Sequence, residues 1–113
     1  MLEGGIRVLI YAGDVDFICN WIGNKAWTKA LQWSGSESFN SEEDKTWYYN
    51  ASSSSSSNTV VVAGGLARTA KAVSGEGSLT FLQVYEAGHM VPMDQPAAAL
   101  ALLNSFLANK PFY

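Results

Sequence analysis

The chain has 113 residues, 48% hydrophobic and 12% aromatic; this is enough apolar side chain for one core, too little length for more than one domain, and it excludes wholesale disorder. Ten acidic residues against seven basic ones give a formal net charge of −3 with no basic stripe, so no nucleic acid partner is expected. No apolar run approaches the roughly 20 residues that span a bilayer, so no membrane partner is expected, and Met1-Leu2-Glu3-Gly4-Gly5 lacks the basic and then apolar stretches of a signal peptide.

Taken in chain order, residues 6–12 form a β-branched and aromatic run, the pattern of a strand buried on both faces of a parallel sheet. Gly13 breaks it, and Asp14 and Asp16 fall on the loop at its carboxyl end, where open α/β sheets place their chemistry. Residues 20–33 read as a helix, with Trp21, Lys25, Ala26 and Ala30 helically spaced, although Gly23 inside it costs about 1 kcal/mol relative to Ala. Residues 34–58 read as a flexible Ser-rich loop: Ser34-Gly35-Ser36 and the tract Ser52 to Ser57 are of low complexity, with a short strand over 45–49 between them. Residues 59–73 and 79–85 suit an antiparallel pair across a Gly-rich turn at 74–78. A last helix spans 96–107, with Pro96 in its first turn and Ala97, Leu100, Ala101, Leu103 and Leu107 as its apolar face. The mixture is that of an α/β protein. Asn50-Ala51-Ser52 is a glycosylation sequon, a motif that chance produces often and that matters only in a secreted protein. The single cysteine, Cys19, cannot form an internal disulfide; it fits a reducing compartment, or a free thiol in a protein whose other cysteines lie elsewhere.

The only histidine lies in Glu86-Ala87-Gly88-His89-Met90-Val91-Pro92, between the last strand and the last helix. An imidazole there can accept a proton and return it. Asp14 and Asp16 both compete to orient it; Asp14, directly after the glycine, suits a turn cap. An acid upstream of a histidine is the chain order of the α/β-hydrolases, where a nucleophile precedes both. No Gly-x-Ser-x-Gly occurs, and residues 1–15 contain no serine. Cys19 follows Asp16 by three residues, the wrong order and loop for that nucleophile, so it reads as a buried or cleft-lining thiol. Asp14, Asp16 and His89 could offer metal ligands, but there is no second histidine and no ligand-spaced motif, so neither a metal nor another cofactor is expected. Met90 and Met93 suit a core; Met90, beside His89, also suits a pocket wall.

The segment Ile10-Tyr11-Ala12-Gly13-Asp14-Val15-Asp16-Phe17-Ile18-Cys19-Asn20-Trp21 and its continuation to Trp27 closely resemble serine carboxypeptidases of the vacuolar carboxypeptidase Y-like branch. Gly88-His89-Met90-Val91-Pro92-Met93-Asp94-Gln95-Pro96 resembles that family's second C-terminal signature. The resemblance covers about residues 2–33 and 79–112 and is weak over 34–78. It implies a single partial domain over 1–113, the C-terminal portion of an α/β-hydrolase fold and incomplete on its own. It also implies release of C-terminal residues from peptides and proteins, mostly at acidic pH, in a vacuolar, lysosomal or secreted setting. It assigns the triad acid to Asp16 and the base to His89, sets Met90 beside the pocket for the leaving residue, and sets Cys19 close to the substrate cleft. The serine, the oxyanion hole and the grip on the substrate's carboxylate belong to an N-terminal remainder, so this chain alone is expected to be inactive. The contrasting expectation is a truncated, non-catalytic chain or a partner-binding α/β module.

Overall fold

The computed structural model describes residues 1–52 and 58–113, so all of the Ser52 to Ser57 tract but its first residue lies outside the described residues. Four strands form one sheet: β1 (Arg7–Gly13), β2 (Lys45–Ser52), β3 (Thr59–Lys71) and β4 (Ser78–Val84), in the order β1-β4-β3-β2. β1 runs parallel to β4, with Leu9 opposite Thr80 and Gly13 opposite Val84. The other two pairings are antiparallel, and β3–β4 is the expected pair.

The pleat sorts β4 onto two cores. Leu82 and Val84 face one side, where helix α4 (Pro96–Leu107) lays Ala98 and Leu102 against them beside Trp47 and Phe112. Leu79 and Phe81 face the other side and meet Phe39, Leu2 and the partly buried Val8, Ile10, Trp21 and Trp33. Helices α1 (Trp21–Ala30) and α2 (Ser36–Ser41) belong to that second layer. The result is an α/β three-layer arrangement in which β4 is buried along almost its whole length. Truncating Leu82 or Phe81 to Ala would cost about 3 kcal/mol, since each side chain is fully buried.

Four expectations need correction. β1 is not buried on both faces: residues 7–10 are half-buried and Tyr11 is exposed, because among the described residues β1 is an edge strand. α1 stops at Ala30 rather than reaching residue 33; Leu31 turns extended, which frees Trp33 to meet Phe39 edge-to-face at 6.5 Å. Residues 34–52 are not loop alone: they hold α2 and an eight-residue β2 that continues the expected short strand to Ser52. Trp47 anchors β2 in the core by stacking on Tyr49 at 5.3 Å and meeting Phe112 at 5.9 Å. Finally, α4 has the expected bounds but buries the face of Ala98 and Leu102, leaving Ala97, Leu100, Leu103 and Leu107 exposed. An Ala/Leu helix is apolar almost all round, so its periodicity does not choose a face.

Candidate active site

The site is built where parallel β1 and β4 end side by side. After Gly13 the chain turns through Asp14 and Val15, and the Asp16 N–H donates to the Gly13 carbonyl at 3.3 Å. A side chain on Gly13 would run into the Ala87 carbonyl at 2.1 Å and that of Gly88 at 2.5 Å. Glycine therefore lets the acid-bearing turn lie directly against the segment that carries the histidine.

Asp16 is only 9% exposed. Its Oδ1 accepts the Cys19 N–H at 3.0 Å, and its Oδ2 lies 3.0 Å from His89 Nδ1. An ionised carboxylate only accepts, so the shared proton belongs on Nδ1, which leaves Nε2 free to take a proton from a substrate or nucleophile. Burial acts to raise the Asp16 pKa. The Cys19 N–H, the hydrogen bond to His89, the imidazolium charge and the Ile18 N–H together outweigh that effect and hold the carboxyl below its ordinary range. The His89 side chain is 64% exposed, so little packing holds the ring.

A cleft of about 200 Å³ opens here, lined by Tyr11, Gly13, Asp16, Cys19, Asn24 and His89 among others. A larger cavity of about 420 Å³ lies at the other end of the sheet, around Arg7, Lys71 and Phe106, and holds neither Asp16 nor His89. The structure thus brings Asp16, His89 and Cys19 together. Cys19 is exposed and lines the cleft, so it is not the buried thiol of the sequence alternatives. Met90 is exposed beside His89 but is not among the cleft walls, where Val91 stands instead. Asn50 is exposed on edge strand β2, opposite Val61. One donor atom each from Asp16, Cys19 and His89 lies within 4.8 Å of the others, but both Asp16 oxygens are already committed to Cys19 and His89.

Two carboxylates stand out that sequence reasoning used differently or passed over. Asp14 is not a local turn cap: its Oδ1 accepts the Glu86 N–H at 2.8 Å, seventy-two residues along the chain. Asp94 Oδ2 accepts the Gly88 N–H at 2.7 Å. The signal for Asp94 was its place within the His89 motif, five residues on; nothing local gave its partner.

Comparison with known proteins follows this geometry. A family model described as serine carboxypeptidase matches residues 1–109, so the similarity runs through 34–78 as well as the two flanking blocks. Carboxypeptidase Y homolog A of Podospora anserina is 47% identical over 107 residues, covering 95% of this chain and 17% of that protein. The protein of the same name from Chaetomium globosum is 45% identical over the same shares, and that of Botryotinia fuckeliana is 46% identical over 102 residues, 90% of this chain and 16% of that protein. The chain therefore spans about a sixth of the length of these curated relatives. On the extent of these matches, the chain belongs to the serine carboxypeptidase family, in its carboxypeptidase Y-like branch.

Proposed function

We propose that this chain is the C-terminal portion of an α/β-hydrolase fold and supplies the acid, Asp16, and the base, His89, of a serine-type carboxypeptidase. The observation that carries the reading is the 3.0 Å contact between His89 Nδ1 and Asp16 Oδ2 at the carboxyl ends of two parallel strands. In the proposed reaction a serine from an N-terminal remainder, outside these 113 residues, attacks the last peptide bond of a peptide or protein. His89 Nε2 takes the serine proton and returns it to the leaving amino acid, while Asp16 fixes the tautomer and stabilises the imidazolium. Cys19 and Met90 would flank the substrate, consistent with Cys19 on the cleft wall. The chemistry needs no cofactor. A vacuolar, lysosomal or secreted setting fits the family, and Asn50 would be open to glycosylation there.

The test is complementation. The 113-residue chain alone should show no peptidase turnover, since it has no Gly-x-Ser-x-Gly and no serine before Ser34. Mixed or fused with an N-terminal segment of a relative that carries the serine, it should release C-terminal residues from a blocked dipeptide. His89→Ala should abolish that release. A complex that forms tightly yet stays inactive would favour the partner-binding module instead.

A further inference from the structure

We propose that Asp94 is a positioning residue for His89: through Gly88 it fixes the backbone from which the imidazole reaches Asp16. The inference rests on the catalytic reading of His89 but concerns how the ring is held.

The problem it addresses is visible in the ring itself. The His89 side chain is largely exposed, and among the described residues its ring bonds to Asp16 alone. A side chain with little packing takes its position from its backbone. The three residues before it are each tied down. Glu86 donates its N–H to Asp14 Oδ1 at 2.8 Å, and its carbonyl accepts Gln95 Nε2 at 3.3 Å. The Ala87 carbonyl accepts the Val15 N–H at 3.1 Å. Gly88 donates to Asp94 Oδ2 at 2.7 Å. The bonds to Asp14 and Val15 join the histidine loop to the acid-bearing turn of Asp14 to Asp16; those to Gln95 and Asp94 join it to α3 (Val91–Asp94) and the residue that follows, on the far side of His89. On that side the Met90 carbonyl accepts the Met93 and Asp94 N–H groups at 2.9 and 3.1 Å. Asp94 therefore closes a ring through residues 88–94, and His89 sits on its rim.

Three features bear on how the loop is held. Glu86 adopts φ +53°, a left-handed conformation that a non-glycine residue keeps only when its surroundings impose it. A Cβ on Gly88 would stand 3.0 Å from Asp94 Oδ2, a tight contact that a larger residue would keep only by shifting the carboxylate a few tenths of an ångström. A charged acceptor makes the Gly88 bond stronger than a neutral one would. Without that bond Gly88 loses its tie to α3, and the backbone that carries His89 gains freedom to rotate.

The test uses the ¹⁵N-labelled 113-residue chain, whose sole histidine gives imidazole signals that need no assignment. The wild type should hold its ring as the Nδ1–H tautomer, and Asp16→Asn should change that, serving as the reference. Asp94→Ala should shift the ring to a mixture in which Nε2–H predominates. Asp94→Asn, which keeps an acceptor oxygen, should restore the wild-type tautomer, a rescue that a merely bulky or fold-supporting side chain would not require. In a complemented enzyme Asp94→Ala should lower kcat by about a hundredfold, the scale of a small misplacement, with KM little changed. An Asp94→Ala ring with the wild-type tautomer, alongside an altered Asp16→Asn ring, overturns the positioning role and leaves the catalytic reading intact. A complemented enzyme indifferent to His89→Ala overturns the catalytic reading without touching the tautomer result. If Asp94→Ala fails to fold, the Gly88 amide of the wild type decides: slow hydrogen exchange supports the bond to Asp94, and exchange at the rate of an open peptide overturns it.

Discussion

Asp14 and Asp16 stand two residues apart and hold different partners, and the difference predicts how each responds to amidation. An ionised Asp16 against His89 Nδ1 favours the Nδ1–H tautomer; an Asn there presents an N–H that favours the opposite one. In the complemented enzyme Asp16→Asn should lower kcat by about 10⁴, the scale known for such a change in a serine triad. Asp14 accepts one backbone N–H, from Glu86. Asn retains an acceptor oxygen, so Asp14→Asn should cost no more than about tenfold. Steady-state kinetics on the two variants checks the ranking, and a more damaging Asp14→Asn would reverse the assignment. That Asp16 and His89 would meet was legible in the sequence because each follows a strand-forming run, at the carboxyl edge of a sheet where such side chains converge. The partners of Asp14 and Asp94 were not. A carboxylate after a glycine looks the same whether it caps its own turn or reaches seventy-two residues away, and only the parallel pairing of β1 with β4 makes the distant partner near.

At the scale of elements, one ion cluster binds the layer of α1 and α2 to the sheet. Arg68, on β3 and almost fully buried, donates Nε to Asp44 Oδ1 at 2.9 Å and Nη1 to the Phe39 and Asn40 carbonyls at 2.8 and 3.1 Å. Lys25 of α1 donates to the other Asp44 oxygen. Burial acts to raise the Asp44 pKa, but the hydrogen bonds from Lys25 and Arg68 and their charges outweigh it and bring it below the ordinary 3.8. The sign follows. A carboxylate whose folded pKa is depressed adds stability that is complete above 3.8 and fades as the pH falls through the folded value. Asp44→Ala should therefore cost about 2 kcal/mol in urea unfolding at neutral pH, the scale of hydrogen bonds to charged groups. The gap between variant and wild type should close in strong acid, and a gap that persists there would show that packing rather than charge is lost. Asp44, and the Phe39 and Asn40 carbonyls that Arg68 holds, lie in the stretch that sequence reading treated mostly as loop. Short polar runs around Trp47 carry no periodicity of their own; α2 and β2 exist because Phe39 and Trp47 find cores on opposite faces of the sheet.

For the whole molecule, the decisive feature is apolar surface left uncovered. β1 offers an open edge among the described residues, and an apolar groove of about 350 Å³ runs beside it between Val8, Ile10, Trp27, Leu31 and Trp33. Phe17, next to the acid, is 92% exposed, and Leu100 and Leu107 on the outer face of α4 are 62% and 67% exposed. An unpaired strand edge beside such a surface is a template for association. The proposed N-terminal remainder would cover part of it. By itself, the chain is expected to unfold broadly and to form concentration-dependent oligomers, read by sedimentation velocity across a dilution series. The stripe of Leu100, Leu103 and Leu107 is the testable part, because lysine there leaves the buried face of Ala98 and Leu102 untouched. Each leucine still has exposed area worth about 1 kcal/mol on burial, so Leu100→Lys with Leu107→Lys should weaken association roughly 30-fold while circular dichroism stays unchanged. If the double variant associates as strongly as the wild type, the contact lies at β1 rather than α4, and lysines at Ile6 and Tyr11 should then disperse it. If instead the wild type is a monomer at every concentration and melts in one sharp transition, the sheet is complete enough to fold alone, and its open edge and outer helix face are not what limits it.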